Sequence, residues 1–208
     1  MSESIDTQDL QERLQLIESM IAEGRQTTEG WGWVFVLWGM AYVVAIVWSG
    51  WINVLFGKMV FSWPANHWSW IVTMFGTAAL TLGIGTSARK PSARNRIAQA
   101  TSAVWWGPGI SMMVIFPALG WSGRLDTHLF VALVAAILGG INAASSMILR
   151  WRAQFACAVV WWLTSAVACF SSERQLLLVF LTALLLCQIV FGAYAMRCDR
   201  KRAGARHA

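Results

Sequence analysis

Three residues carry metal-ligand or acid-base chemistry at the edges of an otherwise apolar sequence: His67, His128 and Glu173. Each stands at or just before the start of an even-numbered apolar run. Two imidazoles and one carboxylate are an acceptable three-ligand set for a zinc ion that keeps an open fourth position. They acquire that meaning only if the chain brings the leading ends of three runs together. Read singly, each is an ordinary side chain at a polar boundary. Other familiar constellations are absent from the sequence: there is no Walker loop, no HExxH, and no nucleophile paired with a base. Gly83-Ile84-Gly85 lacks the third glycine and the preceding strand of a dinucleotide site. The expectation is a protein that is not an enzyme, with no catalytic residue and no cofactor.

Inside the apolar runs the sequence offers amides, hydroxyls and indoles in place of charges. Most Ser and Thr hydroxyls there are expected to bond their own helix. Asn142 and Gln188 are more telling because each adds a full amide. Gly139, Gly140, Ala143 and Ala144 surround Asn142, Ser145 and Ser146 with small side chains. Such a segment permits close approach of a neighbouring helix, or else lines a path for a neutral or weakly polar solute. The pairs Trp105-Trp106 and Trp161-Trp162 admit two readings as well. Indole faces attract cations and flat ligands, and bulky rings also fill space beside glycine or face lipid. Neighbours on a helix point about 100° apart, so each pair sends one ring to each of two environments. The candidate solute path is thus Asn142, Ser145, Ser146, Gln188, Trp105, Trp106, Trp161 and Trp162.

These side chains must be held by the apolar runs themselves. Of 208 residues, 57% are hydrophobic and 12% charged, against about a quarter charged in a soluble domain. The charge concentrates at the two ends and in short connections. Between them lie six stretches, 31–56, 70–86, 98–121, 127–149, 153–170 and 176–196. A bilayer core of about 30 Å takes about 20 apolar residues in a helix. The fold class predicted is all-α, a polytopic membrane protein of six transmembrane helices with no second globular domain. Gly107, Pro108, Gly109 and Pro117 predict a kinked third helix. The stretch from Gly57 to Trp70 reads as an interfacial loop rich in tryptophan.

Residues 1–30 precede the membrane. Leu10, Leu14, Ile17 and Ile21 form one helical stripe, with Asp6 or Thr7 as cap and Gly24 as end. The polar face is acidic, which suits packing against a basic rim better than anchoring on a lipid surface. The acidic start is also unlike a secretory leader. Residues 197–208 form a basic tail.

Orientation follows from the basic residues. One side receives Arg89, Lys90, Arg94 and Arg96, then Arg150 and Arg152, then Arg197, Arg200, Lys201, Arg202 and Arg206. The other receives only Lys58, Arg124 and Arg174. The positive-inside rule places both termini in the cytoplasm. The net charge of +6 is then explained by anionic lipid at the cytoplasmic rim, with no nucleic acid required. Cys157, Cys169, Cys187 and Cys198 form no CxxC pair and read as buried small hydrophobes.

Odd-numbered runs share VLWGMA, VWWGPG and VWWLTS, and even-numbered runs share LGIGTSAR, GGINAASSMILR and FGAYAMR. Three parallel helical hairpins around a pseudo-threefold axis would account for this. The stretch LQLIESMIAEGRQTTEGWGWVFVLWGMAYVVA, with the basic loop after the second run, resembles a group of small bacterial membrane proteins that share an acidic amphipathic lead helix and an LWG-type first span. That resemblance implies a bacterial inner membrane and the six-span plan, and it brings no functional residues to this chain. The leading expectation is a helical bundle acting through association with itself or a membrane partner protein. The alternative is a transporter or channel for a neutral or weakly polar solute, and the third is metal-dependent chemistry at the outer face.

Overall fold

The computed structural model describes the backbone of residues 7–55, 63–87 and 96–205, and the side chains of 10–20, 22, 31–50, 69–84, 100–201 and 204. All regular structure among the described residues is helical. α1 is Thr7–Gly30, α2 Gly32–Leu55, α3 Trp63–Ser87, α4 Arg96–Trp121, α5 Thr127–Leu149 and α6 Arg152–Ala168. α7, Glu173–Leu184, continues without a break through a π-helical segment, Leu185–Val190, into α8, Phe191–Ala205. Four helical stretches are long and apolar enough to cross a membrane: Gly32–Gly50, Ala100–Trp121, Thr127–Leu149 and Glu173–Lys201. This points to a membrane protein. α3 contributes a shorter apolar stretch, Ser69–Ile84. α6 has 17 residues, about 25 Å at 1.5 Å per residue.

Several helices outrun their apolar stretch. α3 starts at Trp63, inside the segment expected to be a loop; Pro64 then sits in the first turn, where a missing N–H breaks no helical bond. The last helix runs to Ala205 through most of the expected tail. α1 passes Gly24 and ends at Gly30, since an isolated glycine costs only about 1 kcal/mol in a helix. Leu10, Leu14 and Ile17 are each about half exposed, and α1 lies against α8, the helix that carries Arg197, Arg200 and Lys201. Asp6, Lys58, Arg89, Lys90, Arg94 and Arg206 lie outside the described residues. α4 is continuous through Pro108 and Pro117.

α5 and α6 form the most intimate pair. The Asp126 carboxylate accepts from the Leu129 N–H at 2.7 Å, capping the start of α5. At its end Arg150 adopts the left-handed conformation (φ 51°, ψ 42°), and its N–H bonds the Ser146 carbonyl. The Trp151 N–H bonds the same carbonyl at 3.0 Å. The helix therefore stops abruptly, and α6 folds straight back along α5. Ser165 Oγ donates to the Ala132 carbonyl at 2.8 Å and fixes the register at the far end. Midway, Gly139 faces the Trp162 indole so closely that an added Cβ would lie 2.5 Å from Nε1.

α2 packs on the last helix by the same device. A Cβ on Gly32 would meet the Gly192 carbonyl at 2.7 Å, and one on Gly192 would meet the Gly32 carbonyl at 2.7 Å. One turn pair further on, Gly39 lies against Gln188, whose Cβ would be 2.8 Å from an added carbon. At the other end of α2, Ser49 and Ser69 share a buried hydroxyl hydrogen bond of 2.9 Å that ties α2 to α3.

The interior is aromatic. Phe130 of α5 makes edge contacts with Trp70 at 5.0 Å, Phe116 at 5.0 Å and Phe180 at 6.5 Å. Tyr42 joins Trp70 and Phe180, and Trp161 joins Phe180. One ring from each of α2 to α7 thus meets in a single layer, mostly in the edge-to-face geometry that ring quadrupoles favour.

Candidate functional site

The residues of the candidate solute path divide between interior and surface. Asn142, Ser145, Ser146, Gln188 and Trp161 are all buried. Trp105 is half-buried with its edge against Phe35 at 5.0 Å. Trp106 is 39% exposed and Trp162 is 42% exposed. Each tryptophan pair thus turns its two rings to different surroundings, as the helical angle requires. Trp162 is also the ring that fills the space left by Gly139. The small-residue segment of α5 therefore packs a neighbouring helix at that point.

A polar seam runs along the buried faces of α5 and α6. Asn142 Nδ2 donates to the Leu138 carbonyl at 2.8 Å, one turn back in its own helix. Ser146 Oγ donates to Ala143 in the same way at 2.7 Å. Asn142 Oδ1 and Ser145 Oγ find no hydrogen-bond partner among the described residues. The same holds for the Trp161 indole nitrogen and for both amide atoms of Gln154, a fully buried residue. Gln154, Cys157, Ala158 and Trp161 follow at helical spacing on the buried face of α6. The turn at Arg150 and Trp151 folds α6 back along α5, with Gln154 in the first turn of α6 and Ser145 and Ser146 in the last two turns of α5. Unpaired buried amides are costly, about 1–3 kcal/mol each. The seam is thus the least satisfied part of the described interior.

Gln154 escaped the sequence reading because it lies two residues after Arg152, where an amide is expected to meet water. The tight turn and the short helix place it inside. Cys157 and Cys187 likewise come together without any spacing motif. Cys187 Sγ reaches the Cys157 carbonyl at 3.7 Å, joining α6 to the π segment. That contact spans thirty residues, and only the hairpin formed by α6 and α7 creates it.

The candidate metal group is not assembled from what is described. His128 Nε2 lies 2.9 Å from the Ser171 carbonyl, a bond between the start of α5 and the loop after α6. Glu173 is exposed at the first position of α7. The side chain of His67 lies outside the described residues. Among the described residues no three His, Cys, Asp or Glu side chains gather closely enough to hold a metal ion.

α4 presents a different kind of surface. Only 6% of its spanning stretch is buried, against 61% for α5. A Cβ added at Gly107 or Gly109 would meet nothing within 4 Å. Ile110, Val114, Ile115 and Trp106 are exposed beside them, and the stretch from Ala100 to Trp121 carries no charged residue. No protein-family model, no curated protein and no solved structure matches this chain.

Proposed function

We propose that this chain is a six-span protein of the bacterial cytoplasmic membrane, with both termini in the cytoplasm, that acts without enzymatic chemistry by helix association. Its association surface is α4, and the partner is α4 of a second copy. Six apolar helical bodies, α2 to α6 and the joined α7–α8, support the span count, and the basic asymmetry supports the orientation. The observation that carries the reading is the near absence of burial along α4, together with the open space at Gly107 and Gly109. Small residues in a charge-free span let two backbones approach, and dispersion then holds them together. A self-complementary face of this kind closes as a symmetric pair. Size measurement in mild detergent tests it. The wild type should run as a defined oligomer, and Gly107→Leu should run as a monomer with its helical content retained. A monodisperse wild-type monomer without partners overturns the proposal.

The polar seam favours a second reading, the binding or passage of a neutral solute. Gln154 offers a donor and an acceptor together, with Ser145, the Trp161 N–H and the Asn142 carbonyl oxygen on the same two helices. A small molecule carrying both a hydrogen-bond donor and an acceptor matches them, whereas an ion does not. Flux into vesicles that falls with Asn142→Leu supports this reading, and unchanged flux removes it.

A further inference from the structure

Of the four thiols, two are brought together inside the bundle. Cys157 is on the buried face of α6, and Cys187 is the third residue of the π segment. They are 8% and 1% exposed. Cys187 Sγ sits 3.7 Å from the Cys157 carbonyl, so the thiol of the π segment lies directly against the residue that carries the other thiol. Cys169 is exposed and Cys198 only partly covered, and neither has a thiol neighbour among the described residues.

The geometry points to Cys157 and Cys187 as a reversible disulfide site that staples α6 to the π segment. Two facts favour a disulfide over a soft metal ion held by the same pair. Two thiolates around a monovalent cation would leave a net negative charge among apolar side chains, which is costly, whereas the dithiol and the disulfide are both neutral. The described surroundings also supply no third His, Cys, Asp or Glu ligand. The oxidant required is a small hydroperoxide, close to water in size and hydrogen bonding. One thiol sulfur takes the terminal hydroxyl of hydrogen peroxide, giving a sulfenic acid and one water. The second sulfur then displaces hydroxide from it, which leaves with the second thiol's proton as another water. Two S–H bonds are lost, one S–S bond forms, and one peroxide is reduced to two waters.

The position gives the staple leverage. Gln188, next to Cys187, lies against Gly39 of α2, so a cross-link at Cys187 fixes the segment on which α2 rests. π turns break the regular register of a helix and recur at functional positions. Oxidation would hold this one against α6.

The test uses the full chain in membranes, treated with hydrogen peroxide, denatured, alkylated and digested. The expected product is an intrachain Cys157–Cys187 peptide pair, two hydrogen atoms lighter than the reduced pair and restored by dithiothreitol. Cys157→Ala and Cys187→Ala should each abolish it, whereas Cys169→Ala should not. If the protein with native cysteines shows Cys157 and Cys187 fully alkylated after Cys169 has been oxidised, the inference is overturned. A disulfide joining Cys157 or Cys187 to Cys169 or Cys198 overturns it equally. Because the wild-type measurement decides the matter, a variant that fails to fold leaves it decidable.

Discussion

α5 and α4 are made of nearly the same material and meet opposite surroundings. Each is a long apolar helix with a pair of glycines near its middle, Gly139 and Gly140 in one, Gly107 and Gly109 in the other. In α5 the space beside Gly139 is taken by Trp162, and 61% of the spanning stretch is buried. In α4 the space beside Gly107 and Gly109 is open, and 6% is buried. Composition does not distinguish a helix used for internal packing from one left on the outside. The neighbour does, and α5 gains its neighbour through a two-residue turn that forces α6 back along it. α4 reaches α5 through a longer connection with Gly123 at φ +69°, and no such enforced pairing follows.

The comparison breaks most readily at the glycines. Gly139→Leu should destabilise the bundle by about 3 kcal/mol, because the added carbons run into a packed ring; denaturation in mixed micelles measures it. The matched Gly107→Leu should leave stability unchanged or raise it by up to about 1 kcal/mol through helix propensity. Equal losses at both positions would mean that α4 is as enclosed as α5. A double-mutant cycle sharpens the point. Gly139→Ala and Trp162→Ala should show a coupling of about 1–2 kcal/mol, since removing the ring makes room for the methyl group. Gly32→Ala offers the control: its added carbon meets the Gly192 carbonyl and the Met196 backbone nitrogen, so Met196→Ala should not rescue it.

Inside α5 and α6, the seam differs from the aromatic layer in the same spirit. The rings of Phe116, Phe130 and Phe180 carry no polar atom and pack edge to face, whereas the Gln154 amide is bonded to nothing described. Gln154→Leu should therefore stabilise the fold by about 1 kcal/mol, because an apolar group of similar size removes an unpaired buried amide. A loss of that size or more would show that the amide is structurally paired. The smallest effect is expected at the turn. Arg150→Gly should add about 0.5–1 kcal/mol in the same assay, since a left-handed conformation costs glycine nothing.

Much of the helical plan is legible in the sequence because long charge-free runs leave little other than helix for their backbone polar groups. The stretch 127–149 coincides with α5, where Asp126 caps one end. Helix ends are less legible where helices continue into polar sequence: nothing in SWPANH or in RCDRKR forces the chain out of helical geometry. The division of each tryptophan pair follows from helix geometry alone. The burial of Gln154 and the meeting of Cys157 with Cys187 depend instead on how tightly two hairpins close. The basic residues near Arg152 marked that region as a boundary and concealed what the turn would do. Similarly, the glycines of α4 and α5 look interchangeable until their neighbours are known.

The most direct measurement is thiol cross-linking in native membranes, in a Cys169→Ser background, comparing Gly107→Cys on α4 with Gly140→Cys on α5. Neither position has an atom within 4 Å of an added Cβ, so both substitutions leave the bundle undisturbed. Association through α4 predicts a cross-linked dimer from Gly107→Cys and monomer from Gly140→Cys. A dimer from Gly140→Cys alone, or from neither, would contradict it.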